Sequence, residues 1–328
     1  MTTHFIVRIW SATGSIPNKQ HLSCLIREKT TVCGAFSSFD SIHRVLIADE
    51  FRVLMQIQNH PNILACGGFI VNSKGMQFIT EYAEGGNLLD FLTNFRNFQN
   101  FLIPLEIIED GFVIIEKEDP LNYSRTATLS ENLENLTTFD LLSIAYQIAC
   151  GMKHLASFSY VHYNLALENI YITENQTIRI GEMALARSSA TSDYNEKVFI
   201  YLSSSSRIQS APEVTKNFEY SEKSDVWSFG ICLYQIFSLG QKLDPKNLHS
   251  RNLEQPECCH REIFHLIQSC ITSDPSGRPT FSKCVDFIER HMDVYTPQIR
   301  VQIDRKLQTA RQIQEELRNW NKANEEDE

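Results

Sequence analysis

No apolar run in this 328-residue chain reaches the roughly 18 residues that a membrane-crossing helix needs. The opening "MTTHFIVRIW" also lacks the charged start and long apolar centre of a secretory leader. Both absences lead us to expect a soluble, cytoplasmic chain without direct membrane insertion. Regular cysteine spacing is missing as well: the nine cysteines are odd in number and irregularly placed, which fits a reducing compartment better than a disulfide framework. Cys258, Cys259 and His260 are consecutive, but adjacent ligands without a second pair weigh against zinc. An excess of positive charge is absent too. With 30 Lys and Arg against 40 Asp and Glu, the formal charge is −10, which argues against nucleic acid or an anionic membrane as partner. What remains is an ordinary globular composition, 42% hydrophobic and 21% charged, on a chain long enough for two lobes or domains.

The most informative stretch is "YVHYNLALENIYITENQTIRIGEMALAR", from Tyr160 to Arg187. Local signals predict two short strands, "IYIT" and "IRIGE", joined by the turn "ENQ" and preceded by the loop "HYNLALEN". An apolar lead-in, His162, a polar residue two further on and Asn169 five after that resemble the catalytic loop of protein kinases, H-R-D-L-x-x-x-N. "IGEMALAR" is similar to the I-G-D-F-G-L-A-R that follows in such kinases, with Glu182, Met183 and Ala184 in the metal-binding triplet.

The resemblance implies phosphoryl-transfer chemistry, in which an aspartate accepts the hydroxyl proton while another aspartate and the loop asparagine hold magnesium. Asn164 stands in the first position, and an amide has neither charge nor useful basicity near neutral pH. Glu182 keeps a carboxylate on a longer stem, so Asn169 and Glu182 could hold magnesium only in a displaced geometry. Tyr163 replaces the arginine that pairs with a phosphorylated activation segment, and Ala184 replaces a glycine.

Upstream, "FIVRIW", "LSCLI" and "TTVCGAF" read as strands separated by polar turns. In the resembled family they would frame a glycine-rich loop and a strand lysine for the nucleotide phosphates. Only Gly14 lies in the first turn, and counting back from the next helix puts Cys33, or Gly34, at the lysine position. Lys19 and Lys29 are the nearby amines that could substitute. Helical spacing from Ile47 to Gln58 carries Glu50, the match for the glutamate that pairs with the lysine; we expect it to swing outward or find another donor. The strand pair around "NSKG", then "EYA" and "GNL", resembles the hinge of receptor tyrosine kinases of the fibroblast growth factor receptor type. That match implies Thr80 at the back of a nucleotide pocket and backbone contacts to adenine from Glu81, Tyr82 and Ala83.

Residues 95 to 135 read as an insert, with a hairpin around Asp110 and Gly111 and an exposed linker holding Tyr123. An amphipathic helix capped by Thr137 or Thr138 follows. Tyr194 falls at the place of an activation-loop tyrosine. Ala211, Pro212 and Glu213 keep the family's A-P-E, with Arg278 as the expected partner of Glu213, and Asp225 is placed to bond the backbone of the loop around His162. From Asp293 a helical tail carries Ile303, Leu307, Ala310, Ile313, Leu317 and Trp320 on one stripe, expected to pack on the lobe, with pairing to another protein as the alternative.

The expected fold is therefore α+β: a bilobal protein kinase fold with a small β-rich N-lobe (1–82), a larger helical C-lobe (83–295) and a tail (296–328). The glycine loop, strand lysine, loop aspartate and metal aspartate are altered together, so the expected function is a pseudokinase that scaffolds protein partners such as kinases or adaptors. No cofactor is expected, although ATP and magnesium remain open. The alternatives are a weak tyrosine kinase using Lys19 or Lys29 with Glu182, and a nucleotide-gated switch without catalysis.

Overall fold

The computed structural model describes residues 27–30, 52–57, 60–72, 75–80, 83, 85–98, 105–108, 111–114, 136–173, 175–188, 209–243 and 253–325. Gly14, Lys19, Cys33, Gly34, Glu50, Glu81, Tyr82, Tyr123 and Tyr194 lie outside the described residues.

The N-terminal part is an antiparallel sheet of β1 (Arg27–Thr30), β2 (Cys66–Asn72) and β3 (Gly75–Thr80), in the order β1-β3-β2. Its first strand differs from expectation. β1 falls where the alternation of apolar residues suggested a polar turn between "LSCLI" and "TTVCGAF". "REKT" holds a strand because its backbone bonds β3 on one side, in the register Arg27↔Thr80 and Lys29↔Phe78. Charged side chains suit a strand at an edge of the described sheet. Helix α1 (52–56) follows β1, and Val53, Leu54 and Ile57 are buried.

Residues 60–64 tie this part to the helical part. Ile180 N–H donates to Asn62 O (2.9 Å) and Leu64 N–H to Ile180 O (2.9 Å), so the segment extends the hairpin of β7 (Ile170–Ile172) and β8 (Ile178–Ile180). Asn62 is fully buried, and its amide donates to Gln147 Oε1 (3.1 Å) and Ile178 O (3.2 Å). These bonds satisfy polar groups that burial would otherwise leave costly.

After α2 (Leu88–Phe98), β4 (Leu105–Ile108) and β5 (Gly111–Ile114) form a two-stranded antiparallel ladder that pairs Ile108 with Gly111. The core is organised on α3 (Thr138–Ser157), buried on almost every face from Thr138 to Met152. Its start is a capping box, Thr137 Oγ1 accepting from Asp140 N–H (3.3 Å) and Asp140 Oδ2 from Thr137 N–H (2.8 Å). Gly151 is needed on this helix: a Cβ there would stand 2.7 Å from Ile180 Cδ1 and 3.0 Å from Asn62 O. Around α3 pack α5 (Glu222–Phe237), α7 (Phe281–Tyr295) and α8 (Pro297–Glu325), with α4 (Pro212–Asn217) and α6 (Arg261–Cys270) completing the helical part. On α8, Ile299, Ile303, Leu307 and Ala310 are buried, and Gln314 Nε2 donates to Ile63 O (3.1 Å). Among the described residues no helix is long and apolar enough to cross a membrane.

Candidate functional site

The loop between β6 (Tyr160–Val161) and β7 is held from below by one carboxylate. Asp225, on the first turn of α5, accepts the backbone N–H of His162 (2.7 Å) and of Tyr163 (3.1 Å). Burial pushes the Asp225 carboxyl up to about 7, and the two N–H donors pull the other way. His162 is fully buried; Nε2 lies 3.0 Å from Gly181 O, and Nδ1 accepts the N–H of Asn164 (3.3 Å). Burial holds this imidazole down to about 4, so near neutral pH it is uncharged and Nε2 carries the proton toward Gly181. His162 therefore joins the loop to the strand end beyond β8 and has no role as an acid.

Asn169 bonds both within the loop and to Gly181. Asn169 Nδ2 donates to Asn164 O (2.8 Å), and Asn169 O accepts the N–H of Gly181 (2.9 Å). Asn164 Oδ1 is shielded from solvent and takes no hydrogen bond among the described residues. Such an oxygen can accept a hydrogen bond from a hydroxyl but cannot remove its proton. Gly181 has to be small, because a Cβ would lie 2.8 Å from the Tyr171 ring.

Glu182 caps the 3-10 turn Met183–Leu185 in the left-handed region, φ 59°. Tyr171, on β7, donates its hydroxyl to Glu182 Oε1 (3.1 Å). The unusual backbone is thus at Glu182, while Ala184 sits inside the turn. Met183 is buried in the main core, an apolar anchor for the triplet.

Tyr163 also has a left-handed backbone, φ 69°, and it is buried. Its ring stacks on Tyr220, centroids 4.1 Å apart and planes at 21°, in a small cluster with Val161 and Leu185. An apolar aromatic contact therefore occupies the place of the arginine in the resembled pattern.

The chain leaving β3 at Thr80 returns to the same hairpin. Ala83 is buried, Gly85 N–H donates to Ile172 O (2.9 Å), and Ile172 N–H donates to Gly86 O (3.0 Å). Gly85 and Gly86 and the loop carrying Asn164 and Asn169 thereby meet two ends of one strand, β7. Lys29 is paired with Phe78 in the ladder, two residues before Thr80.

Farther down, Arg278 and Glu213 form a two-fold contact, NH1 to Oε1 at 2.6 Å and NH2 to Oε2 at 2.8 Å. Arg278 also donates to the carbonyls of Thr272 (2.8 Å) and Lys223 (2.8 Å) and lies over the Trp227 ring. This pair locks α4 and α5 to the turn before α7.

Sequence reasoning did not find Tyr171 or Tyr220. Neither carries a motif signal, since the first meets Glu182 only through the hairpin and the second meets Tyr163 only through the packing of α4 and α5 on the loop. Of the other site positions, His162, Asn164 and Asn169 are joined through bonds to one another or to Gly181, Glu182 is held by Tyr171, and Glu213 and Arg278 form a separate structural pair.

A family model described as protein tyrosine and serine/threonine kinase matches residues 37–288. Three relatives from Caenorhabditis elegans are similar. The tyrosine-protein kinase receptor ver-3 is 33% identical over 346 aligned positions, 97% of this chain and 28% of the relative. The receptor-like tyrosine-protein kinase kin-15 is 33% identical over 84% of this chain and 59% of its own length. The tyrosine-protein kinase receptor old-1 is 31% identical over 87% and 55%. The chain thus spans less than two thirds of each of these curated relatives. With the bonded loop, hairpin and helical part in place, the match identifies the chain as a member of the protein tyrosine and serine/threonine kinase family, with receptor tyrosine kinase homologues.

Proposed function

We propose that this kinase-family domain works as a pseudokinase, engaging protein partners such as kinases or adaptors in the cytoplasm without transferring phosphate. The supporting observation is Asn164. Its loop is held through Asp225, His162 and Asn169, yet the side chain offers an amide where the chemistry requires a carboxylate base. Glu182, engaged by Tyr171, adds to this reading, because magnesium would have to compete with that hydrogen bond and reach a carboxylate on a longer stem. Losing several groups that act in one transition state leaves little rate to recover.

A second reading rests on the register of Lys29 against Phe78, two residues before Thr80 in the ladder. A lysine there is a substitute for the absent strand lysine and favours nucleotide binding, either as a gate or in a weak tyrosine kinase with Glu182 and Asn169 as metal ligands. The deciding experiment incubates purified chain with ATP, Mg²⁺ or Mn²⁺ and a tyrosine-containing polymer, beside Asn169→Ala and Lys29→Met. No transfer above the Asn169→Ala background is expected. Transfer that both substitutions abolish would establish the weak kinase instead, and metal-dependent ATP binding without transfer, lost in Lys29→Met, would establish the gate.

A further inference from the structure

Two helices distant in sequence bring together a group of side chains that the kinase chemistry does not use. His260 caps α6, its Nδ1 accepting the N–H of Glu262 at 3.4 Å. His291 lies in the last turns of α7, and its Nδ1 is 2.8 Å from Glu262 Oε2. One donor atom from each of His260, Glu262 and His291 lies within 4.8 Å of the other two. The imidazoles are held by packing: their centroids are 4.8 Å apart, and the Tyr295 ring covers both, at 5.1 and 4.7 Å. Both histidines are buried, while the Glu262 side chain keeps 49% of its exposure.

We propose that His260, Glu262 and His291 form a binding site for a zinc-class divalent ion, clipping the start of α6 to the end of α7. Two imidazoles and a carboxylate are a ligand set that zinc accepts, and water would complete the shell from the open Glu262 side. Tetrahedral zinc with bonds of about 2.0–2.1 Å needs its donors about 3.4 Å apart. The Glu262–His291 contact, now 2.8 Å, must open by about 0.6 Å, and the widest separation, up to 4.8 Å, must close by about 1.4 Å. The half-exposed Glu262 side chain supplies most of this adjustment, because its rotamers are free on the solvent side. The long 3.4 Å cap contact of His260 is weak by hydrogen-bond standards and yields to a metal bond. Calcium and magnesium are disfavoured, since they take shells of oxygen and two of the three donors are nitrogens. Cys258 and Cys259 adjoin His260 in sequence but are not members of the group. Cys259 Sγ is directed to the His260 carbonyl at 3.6 Å. The consecutive Cys-Cys-His run is thus not the site; its histidine takes one partner two residues further along the chain and the other from the next long helix, α7.

The test strips the full chain with a chelator and titrates it with Co²⁺ as a spectroscopic probe, followed by Zn²⁺. One Co²⁺ per chain is expected, with the visible bands of a low-symmetry nitrogen and oxygen shell, without thiolate charge transfer, and displaced by Zn²⁺ with a rise in melting temperature. Glu262→Gln, a change on a half-exposed side chain that leaves the packing intact, should weaken Co²⁺ on the order of tenfold to a hundredfold. Cys258→Ser should leave the bands unchanged. The proposal is overturned by absence of Co²⁺ binding to the wild-type chain, which would make the group an ordinary capped His–Glu pair, by thiolate bands that Cys258→Ser removes, or by equal affinity in Glu262→Gln.

Discussion

Tyr163 stacks on Tyr220 with ring centroids 4.1 Å apart, directly beneath the loop that carries Asn164. The same residue gives its backbone N–H to Asp225, so its side chain and main chain both secure the loop. A contact that depends on desolvated aromatic faces leaves no water-filled space for a charge.

Restoring the family's arginine should therefore harm the fold. Tyr163→Arg is expected to lower unfolding free energy by about 3 kcal/mol or more, through an uncompensated buried charge and the lost stack. Tyr163→Leu, which keeps an apolar side chain, should cost less. Urea unfolding of both variants checks this, and an undiminished midpoint in Tyr163→Arg would show that the site opens to solvent.

The Glu213–Arg278 pair is the second target. Arg278 has no exposed side-chain surface, so Glu213→Ala leaves a buried guanidinium with carbonyl partners only. A loss of about 3–5 kcal/mol is expected. The double change Glu213→Leu with Arg278→Met should lose less than the sum of the single changes, because no orphaned charge remains. Chemical denaturation of the four proteins measures the coupling.

Asp225 predicts a pH dependence with a definite sign. Its folded-state value, raised by burial to about 7 against the ordinary 3.8, lets the folded chain hold a proton that the unfolded chain has released. The nearby charge of Glu222 adds to the rise, and the phenols of Tyr163 and Tyr220 lie close by. The stabilisation from this group is greatest below about pH 4 and falls as pH rises toward 7, by at most about 4 kcal/mol. His162 runs oppositely: lowered by burial to about 4, it contributes fully above about 6.5 and loses that contribution as pH falls. Comparing Asp225→Asn with the wild type cancels the histidine. The stability advantage of the wild type should narrow between about pH 5 and about pH 8, and a gap that widens would contradict the assignment.

The terminal helix α8 is expected to support the whole molecule. Ile303 is fully buried, so Ile303→Ala should cost about 2–5 kcal/mol. Gln314→Ala removes the donor to Ile63 O and should cost about 1–3 kcal/mol. Hydrogen exchange would locate the second effect at residues 60–64, where the carbonyl loses its partner.

The hairpin of β7 and β8 was legible because its signal is local, alternating isoleucines around a polar turn, and the cap of α3 was narrowed to Thr137 or Thr138, between which the Asp140 bonds chose Thr137. β1 was not, since a charged four-residue strand has no internal pattern and exists through its bonds to β3. The left-handed backbone at Glu182 was not legible either. Ala184 drew attention as a lost glycine, yet the left-handed residue is Glu182, a choice made by the 3-10 turn that follows it.

What the sequence alone determined is the family frame and the chemical identity of each site position, because spacing along a loop and residue type survive without coordinates. That an amide stands at position 164 and a glutamate at 182 needs no fold to be known. The tertiary structure decided the partners. Tyr163 meets Tyr220, Tyr171 meets Glu182, and His260 meets His291, each across a separation that only packing closes. Side-chain contacts of that kind depend on the crossing of helices and on strand register, which a local pattern does not encode.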